Sequence, residues 1–149
     1  MRLLHTADWH AGRTLSRRGL DEGLEKSLTD LIDYAVREKV DAVLLAGDVF
    51  DGTKPPHSSQ QLVYRTLMRL YLEKIPVAII AGNHDSVGHW HALKPIFELA
   101  NVTVVSELST SSVNTIQTRS GPLHLASLPW PNERLLSPIQ FDQSDPDEL

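Results

Sequence analysis

The sequence predicts an α/β domain built on a mainly parallel sheet. Two observations carry that expectation. Short apolar runs alternate with stretches of helical periodicity from the N-terminus to about residue 105, the pattern of βαβ units. Three of those apolar runs also end in similar punctuation: Asp8-Trp9-His10, Gly47-Asp48 and Gly82-Asn83-His84-Asp85. In an open α/β sheet the carboxyl ends of the strands form the crevice that receives ligands.

The elements follow in order. Residues 2–6 form a short apolar strand that stops at Ala7-Asp8. From Asp21 to Lys39, Leu24, Leu28, Leu31, Ile32 and Ala35 recur at helical spacing with charges opposite. Val40 to Ala46 reads as a buried strand, and a polar loop through Pro55-Pro56 leads to a second helix from about Ser58 to Lys74. Ile75 to Ile80 is the third strand, Trp90 to Leu99 a short helix, and Val102 to Val105 the fourth strand. Val113 to Thr118 and Pro122 to Leu128 flank Ser120-Gly121, which predicts an antiparallel pair. The Ser/Thr-rich stretch 106–112 is a loop. Residues 1–137 are expected to form the folded part, and 138–149 a loose acidic tail rich in Pro, Asp and Gln.

Composition narrows the function. The chain has 149 residues and no cysteine, so a disulfide framework, a thiolate zinc site and a cysteine nucleophile are excluded. Fourteen Lys and Arg against nineteen Asp and Glu give a net charge of −5. That is the wrong sign for a domain that simply coats nucleic acid, but it suits carboxylates that hold cations which then meet phosphate. No apolar run approaches the roughly 18 residues of a membrane span, and no secretory signal is visible, so the cytoplasm is the expected compartment.

What converges at the strand ends is Asp8, His10, Asp48, Asn83 and His84, a set of oxygen and imidazole donors suited to Mn, Fe, Zn or Mg. A single Asp or His after a strand is ordinarily a cap or loop residue; three in-phase strand ends carrying donors are not ordinary. Gly47 and Gly82 let the backbone turn and leave space beside a cation.

These segments resemble the first three motifs of the calcineurin-like metallophosphoesterases. The wording of His5 to Gly12, Ala46 to Asp51 and Ala81 to Ser86 is most similar to the bacterial SbcD-type DNA repair nuclease branch, and Leu128-Pro129-Trp130 also resembles a segment of it. The likeness spans most of residues 1–134. It implies the N-terminal part of a nuclease domain, a truncated metallophosphoesterase sandwich. By that resemblance Asp8 and His10 bind a first metal, Asp48 bridges two metals and Asn83 binds the second. His84 is then the catalytic histidine, which orients the phosphate or protonates the leaving oxygen. Archaeal and eukaryotic relatives often carry His where this chain has Asp51, so the role of Asp51 stays open. The implied cofactors are two divalent ions, Mn first, with Mg, Fe or Zn as alternatives. The implied activity is exonuclease and endonuclease cleavage of DNA ends and hairpins in repair, recombination and replication, alongside an SbcC-type ATPase. A homodimer is a further expectation, and no membrane is involved.

Phosphodiester hydrolysis needs an activated water, charge relief on phosphate and help for the leaving oxygen, which two cations about 3.5–4 Å apart supply. Four donors are few for two cations. The family takes the rest from a later His and a Gly-His-x-His pair, both expected beyond this sequence, so the chain alone is expected to bind one ion weakly and cleave little. Gly88-His89-Trp90-His91 matches that pair by letter. It stands on the third motif's own loop entering a helix, and is read as coincidence. His5 and His124 lie within strands and His57 in a loop, and none makes a strong ligand claim. Arg13, Arg17 and Arg18 follow the first motif and either face a DNA phosphate or line a solvated loop. Arg65 and Arg69 are expected on the wet face of the second helix. Two alternative functions remain: another phosphomonoesterase or phosphodiesterase on the same metal core, and a catalytically incomplete fragment.

Overall fold

A computed structural model describes residues 1–16, 18–108 and 113–131. Four strands, β1 (Leu3–Thr6), β4 (Ala42–Ala46), β5 (Val77–Ile80) and β6 (Val102–Val105), form a parallel sheet in the spatial order β1-β4-β5-β6. The two-stranded ribbon of β2 (Thr14–Leu15) and β3 (Arg18–Gly19) follows β1 directly and was not anticipated. Two residues per strand are too few to leave a periodic signature. The helices are α1 (Asp21–Arg37), α2 (His57–Leu72) and α3 (Val87–Leu99), and β7 (Val113–Thr118) pairs antiparallel with β8 (Gly121–Ala126).

Each helix connects two neighbouring parallel strands, and such crossovers are right-handed, which sets the helices on one face. Val43 and Leu45 of β4, Val77 and Ile79 of β5 and Val102 and Val104 of β6 alternate along their strands into one buried cluster. Leu28 and Ile32 of α1, Val63, Leu67 and Leu70 of α2 and Phe97 of α3 complete it. Arg65 and Arg69 are exposed as expected, and both reach across to α1: Arg65 lies 3.1 Å from Glu25 and Arg69 3.5 Å from Asp33. Exposed pairs of this kind contribute little stability.

The β7–β8 pair is fastened at both ends of the sheet. At the amino edge Ser120 Oγ donates to Asp41 at 2.8 Å and Arg119 Nη2 to the Val40 carbonyl at 2.8 Å. The Arg2 backbone N–H also donates to Asp41, at 2.6 Å, and the Arg2 and Ser120 bonds hold its carboxyl below the ordinary range. At the carboxyl edge Trp130 N–H donates to the Ala81 carbonyl at 2.9 Å.

Some boundaries differ from expectation. The hairpin turns at Arg119-Ser120, because Gly121, at φ +108°, already pairs with Thr118. Helix α3 starts three residues early because Ser86 caps it, its Oγ accepting from His89 N–H at 3.3 Å. His57 opens α2 instead of lying in the preceding loop. Arg17, residues 109–112 of the expected loop and the 138–149 tail lie outside the described residues. Among the described residues no helix is long and apolar enough to cross a membrane.

Candidate metal centre

The in-register parallel strands β1, β4 and β5 deliver their carboxyl ends side by side. Beyond the sheet the first two loops stay paired: Asp8 N–H donates to Gly47 O at 3.1 Å, His10 N–H to Asp48 O at 2.9 Å and Ala11 N–H to Val49 O at 3.0 Å. Three residues here, Asp8 (φ +55°), His10 (φ +45°) and Asp48 (φ +49°), hold the left-handed conformation despite carrying a Cβ. Such backbone costs about 1–2 kcal/mol per residue and persists where surrounding structure enforces it.

That enforcement is visible. The Asp85 carboxylate is buried and accepts three backbone N–H bonds, from Gly82 at 2.9 Å, Phe50 at 3.2 Å and Val49 at 3.3 Å. It therefore ties the second loop to the third. Burial pushes its carboxyl above the ordinary range, the three backbone donors pull it down, and neighbouring Asp48 adds to the rise. Asp21, in the first turn of α1, accepts from Gly12 N–H at 2.8 Å and Ser59 Oγ at 2.6 Å, which secures the chain just after His10. Sequence reasoning did not single out Asp85 or Asp21 as positioning residues. Asp85 sits within a recognised motif, but its burial and its three backbone bonds are not readable from spacing.

Gly82 explains the close meeting of the loops. A Cβ there would collide with the backbone nitrogen and Oδ1 of Asp48 and stand 2.8 Å from its Cγ. Asp48 Oδ1 accepts the His84 N–H at 3.0 Å, leaving Oδ2 turned toward His10 Nε2 at 3.9 Å. Asp8 Oδ1 approaches the same imidazole nitrogen at 3.8 Å. His84 packs edge-on to His10, ring centroids 5.0 Å apart, and its Nδ1 donates to the Asp51 carbonyl at 2.9 Å. A carbonyl only accepts, so the Nε2 lone pair of neutral His84 faces away from that bond.

The structure thus brings Asp8, His10, Asp48 and His84 together. His10, Asp48 and His84 each offer a donor atom within 4.8 Å of the others. Asn83 stands on the same loop with its side chain exposed. The donor set fits a divalent cation: two imidazoles and a carboxylate converge on one point. Arg13 and Arg18 are exposed and line a cleft beside the first motif with Gly12, Thr14 and Asp21, whereas Arg17 lies outside the described residues.

The other histidines are engaged elsewhere. His89 Nε2 and the Tyr64 hydroxyl share a 2.7 Å hydrogen bond, and the imidazole packs edge-on to Phe50. Burial holds the His89 imidazole below its ordinary pKa and raises the Tyr64 phenol to about 12. Trp90 is fully buried, and His91 pairs with Glu107 at 3.3 Å on the surface. His124 bonds Thr115 across the β7–β8 pair at 3.0 Å, and His5 is exposed on β1.

Comparison with known proteins agrees with this geometry. The family model for calcineurin-like phosphoesterases matches residues 1–139. The chain is 33% identical over 147 residues to the D subunit of the nuclease SbcCD from Bacillus subtilis, covering 97% of this chain and 38% of the relative. It is 36% identical over 106 residues to the corresponding SbcCD protein of Escherichia coli K12, 71% of this chain and 26% of that protein. The Rhodobacter capsulatus counterpart is 38% identical over 112 residues, 73% of this chain and 27% of the relative. The chain therefore spans between a quarter and two fifths of the length of these relatives. With the parallel sheet and the strand-end donors in place, the chain belongs to the calcineurin-like phosphoesterase family.

Proposed function

We propose that residues 1–137 form the metal-binding N-terminal part of a DNA nuclease domain that hydrolyses phosphodiester bonds, with 138–149 as a tail. The convergence of His10, Asp48 and His84 donors within 4.8 Å, with Asp8 3.8 Å from His10, carries this reading. The names of the SbcCD relatives support the nuclease and a second subunit as partner, in this reading an SbcC-type ATPase. In this reading the substrates are DNA ends and hairpins met in repair, recombination and replication in the cytoplasm. Arg13, Arg17 and Arg18 meet the DNA backbone, and two copies of the protein act together.

Asp8 and His10 would hold one divalent ion, Asn83 a second, and Asp48 both, because its two oxygens point in different directions. Mn fits this mixed nitrogen and oxygen set. When bound, the ions supply charge neutralisation at phosphate and acidify water. His84 works differently. With Nδ1 committed to the Asp51 carbonyl, its Nε2 is the atom left to hold a phosphate oxygen or carry a proton to the leaving oxygen.

Titration calorimetry with Mn, joined to cleavage of a hairpin DNA, tests these roles. In an intact, longer version of this protein, Asp48→Ala loses Mn uptake, whereas His84→Ala retains it and loses Mn-dependent cleavage. Wild-type Mn binding in Asp48→Ala would remove the centre, and loss of Mn in His84→Ala would make that histidine a ligand. A preference for p-nitrophenyl phosphate over hairpin DNA would replace the nuclease by a phosphomonoesterase.

A further inference from the structure

After β8 the chain continues as Ser127-Leu128-Pro129-Trp130-Pro131 and reaches the carboxyl edge of the parallel sheet. Ser127 and Pro129 are buried, whereas Leu128 and Trp130 are exposed, the alternation of an extended segment. Leu128 and Trp130 each precede a proline, which restricts both to extended backbone. Trp130 is anchored as well. Its N–H donates to the Ala81 carbonyl at 2.9 Å, and the Ala81 N–H donates in turn to the Val105 carbonyl at 3.0 Å. Ala81 stands three residues before His84, so the residue that holds Trp130 lies within about 11 Å of the His84 backbone. An indole that is 61% exposed is thus carried on fixed backbone beside the candidate metal centre, whereas Trp9 and Trp90 are buried in the core.

Every phosphate of a nucleic acid strand carries a nucleoside on either side, so a strand whose phosphate meets the centre brings its bases to this edge. Stacking on an aromatic ring tolerates any sequence, because every base has a π face. We propose that Trp130 is a stacking platform for an unpaired nucleobase next to the phosphate that meets the metal centre. The inference rests on the nuclease reading above and narrows its substrate. A base inside an intact duplex is already covered by its neighbours on both faces, so only a single strand, a frayed end or a hairpin loop offers a free face. Prolines on both sides of Trp130 limit its backbone, and a ring held out in advance loses little freedom when a base settles on it.

The chain carries its own probe. Of its three tryptophans only Trp130 is exposed, so the emission that acrylamide quenches belongs to it. The metal-free chain at low salt is titrated with a short oligothymidine and with an abasic strand of equal length, which has the same phosphates and no bases. Oligothymidine quenches Trp130 emission, shields it from acrylamide and binds about 5–150-fold more tightly than the abasic strand. Trp130→Phe keeps that preference, whereas Trp130→Leu, which retains an apolar side chain without a π face, binds the two strands alike. Oligothymidine bound without change in Trp130 emission, or a preference that survives Trp130→Leu, would overturn the stacking role and leave the nuclease reading standing. Failure of both strands to bind, together with absence of hairpin cleavage by an intact, longer version of the protein, would overturn both. If acrylamide quenches that longer protein no better than its Trp130→Phe variant before DNA is added, Trp130 packs against the rest of the chain and the platform is refuted.

Discussion

Replacing Gly82 with alanine perturbs the centre without touching a donor. The added methyl collides with Asp48 N and Oδ1 and stands 2.8 Å from its Cγ. Asp48 cannot swing away freely, because its carbonyl accepts from His10 N–H at 2.9 Å and its Oδ1 from His84 N–H at 3.0 Å. Overpacking of a fixed neighbour costs about 1–3 kcal/mol, and losing the charge-assisted bond to His84 costs a further 1.5–3 kcal/mol or so. A combined loss of about 2.5–6 kcal/mol is a large share of the roughly 5–15 kcal/mol that stabilises a domain. At about 2–4 °C per kcal/mol for a chain of this size, Tm falls by roughly 5–24 °C. Thermal unfolding by circular dichroism reads that fall, and Mn calorimetry below the transition reads weakened uptake as Asp48 moves. Gly23→Ala in α1 is the control: its methyl meets nothing within 4 Å, and helix propensity predicts a gain of about 0.5–1 kcal/mol. A Gly82→Ala chain that melts with wild type and binds Mn equally well would refute the reasoning.

Two further outcomes follow from local geometry. Lys74 ends α2 at φ +58° with its N–H bonded to the Tyr71 carbonyl at 2.9 Å, so Lys74→Gly relieves left-handed strain and raises stability by about 0.5–1 kcal/mol in urea melts, after the entropy of the added glycine; a lower midpoint would contradict this. His89 is held below its ordinary pKa by burial, partly opposed by Asp85. Between its folded pKa and about 6.5 the unfolded chain therefore binds more protons, and stability is lost as pH falls through that window. The Tyr64 phenol, at about 12, does not ionise in this window. His89→Gln should flatten the slope in melts from pH 5 to 7, and an unchanged slope would assign it to other groups.

Much of the fold was legible because its signals are local. Leu28, Ile32 and Ala35 recur at helical spacing and are all buried in α1, and the apolar run of β4 is a central strand flanked on both sides. The parallel order was legible too, since each strand is followed by a helix long enough to return to its starting edge. The β2–β3 ribbon escaped because four residues that include a glycine and an arginine carry no period. The start of α3 escaped because Gly88 and His89 read as loop, whereas the Ser86 cap decides it. Within the site, residue types and strand-end positions announced Asp8, His10, Asp48 and His84. The contacts that hold them did not announce themselves, because Asp85 to Val49 and Asp21 to Ser59 are links between distant parts of the chain. No spacing rule encodes such links.

Left-handed backbone distinguishes a site only together with what surrounds it. Lys39, Lys74 and Asn101 adopt it at φ +53° to +58°, each just past a helix, where it merely terminates the helix and turns the chain into the next strand. Asp8, His10 and Asp48 adopt the same conformation where a glycine would be less strained but would carry no donor. The cost at these three positions is tolerated because the paired first and second loops hold their backbones, and the buried Asp85 carboxylate anchors the adjoining Val49, Phe50 and Gly82. The same bonds that enforce the strain fix where the side chains project. Donors fixed in this way need little rearrangement to receive a cation. Asp85→Ala should therefore release strain and geometry together: it leaves the buried Val49 and Phe50 N–H groups without their acceptor, at about 1–3 kcal/mol each, frees the half-buried Gly82 N–H as well, and scatters donors that it never touches. Calorimetry showing intact Mn affinity in a folded Asp85→Ala chain would separate the two, and would place the origin of the geometry in the sheet alone.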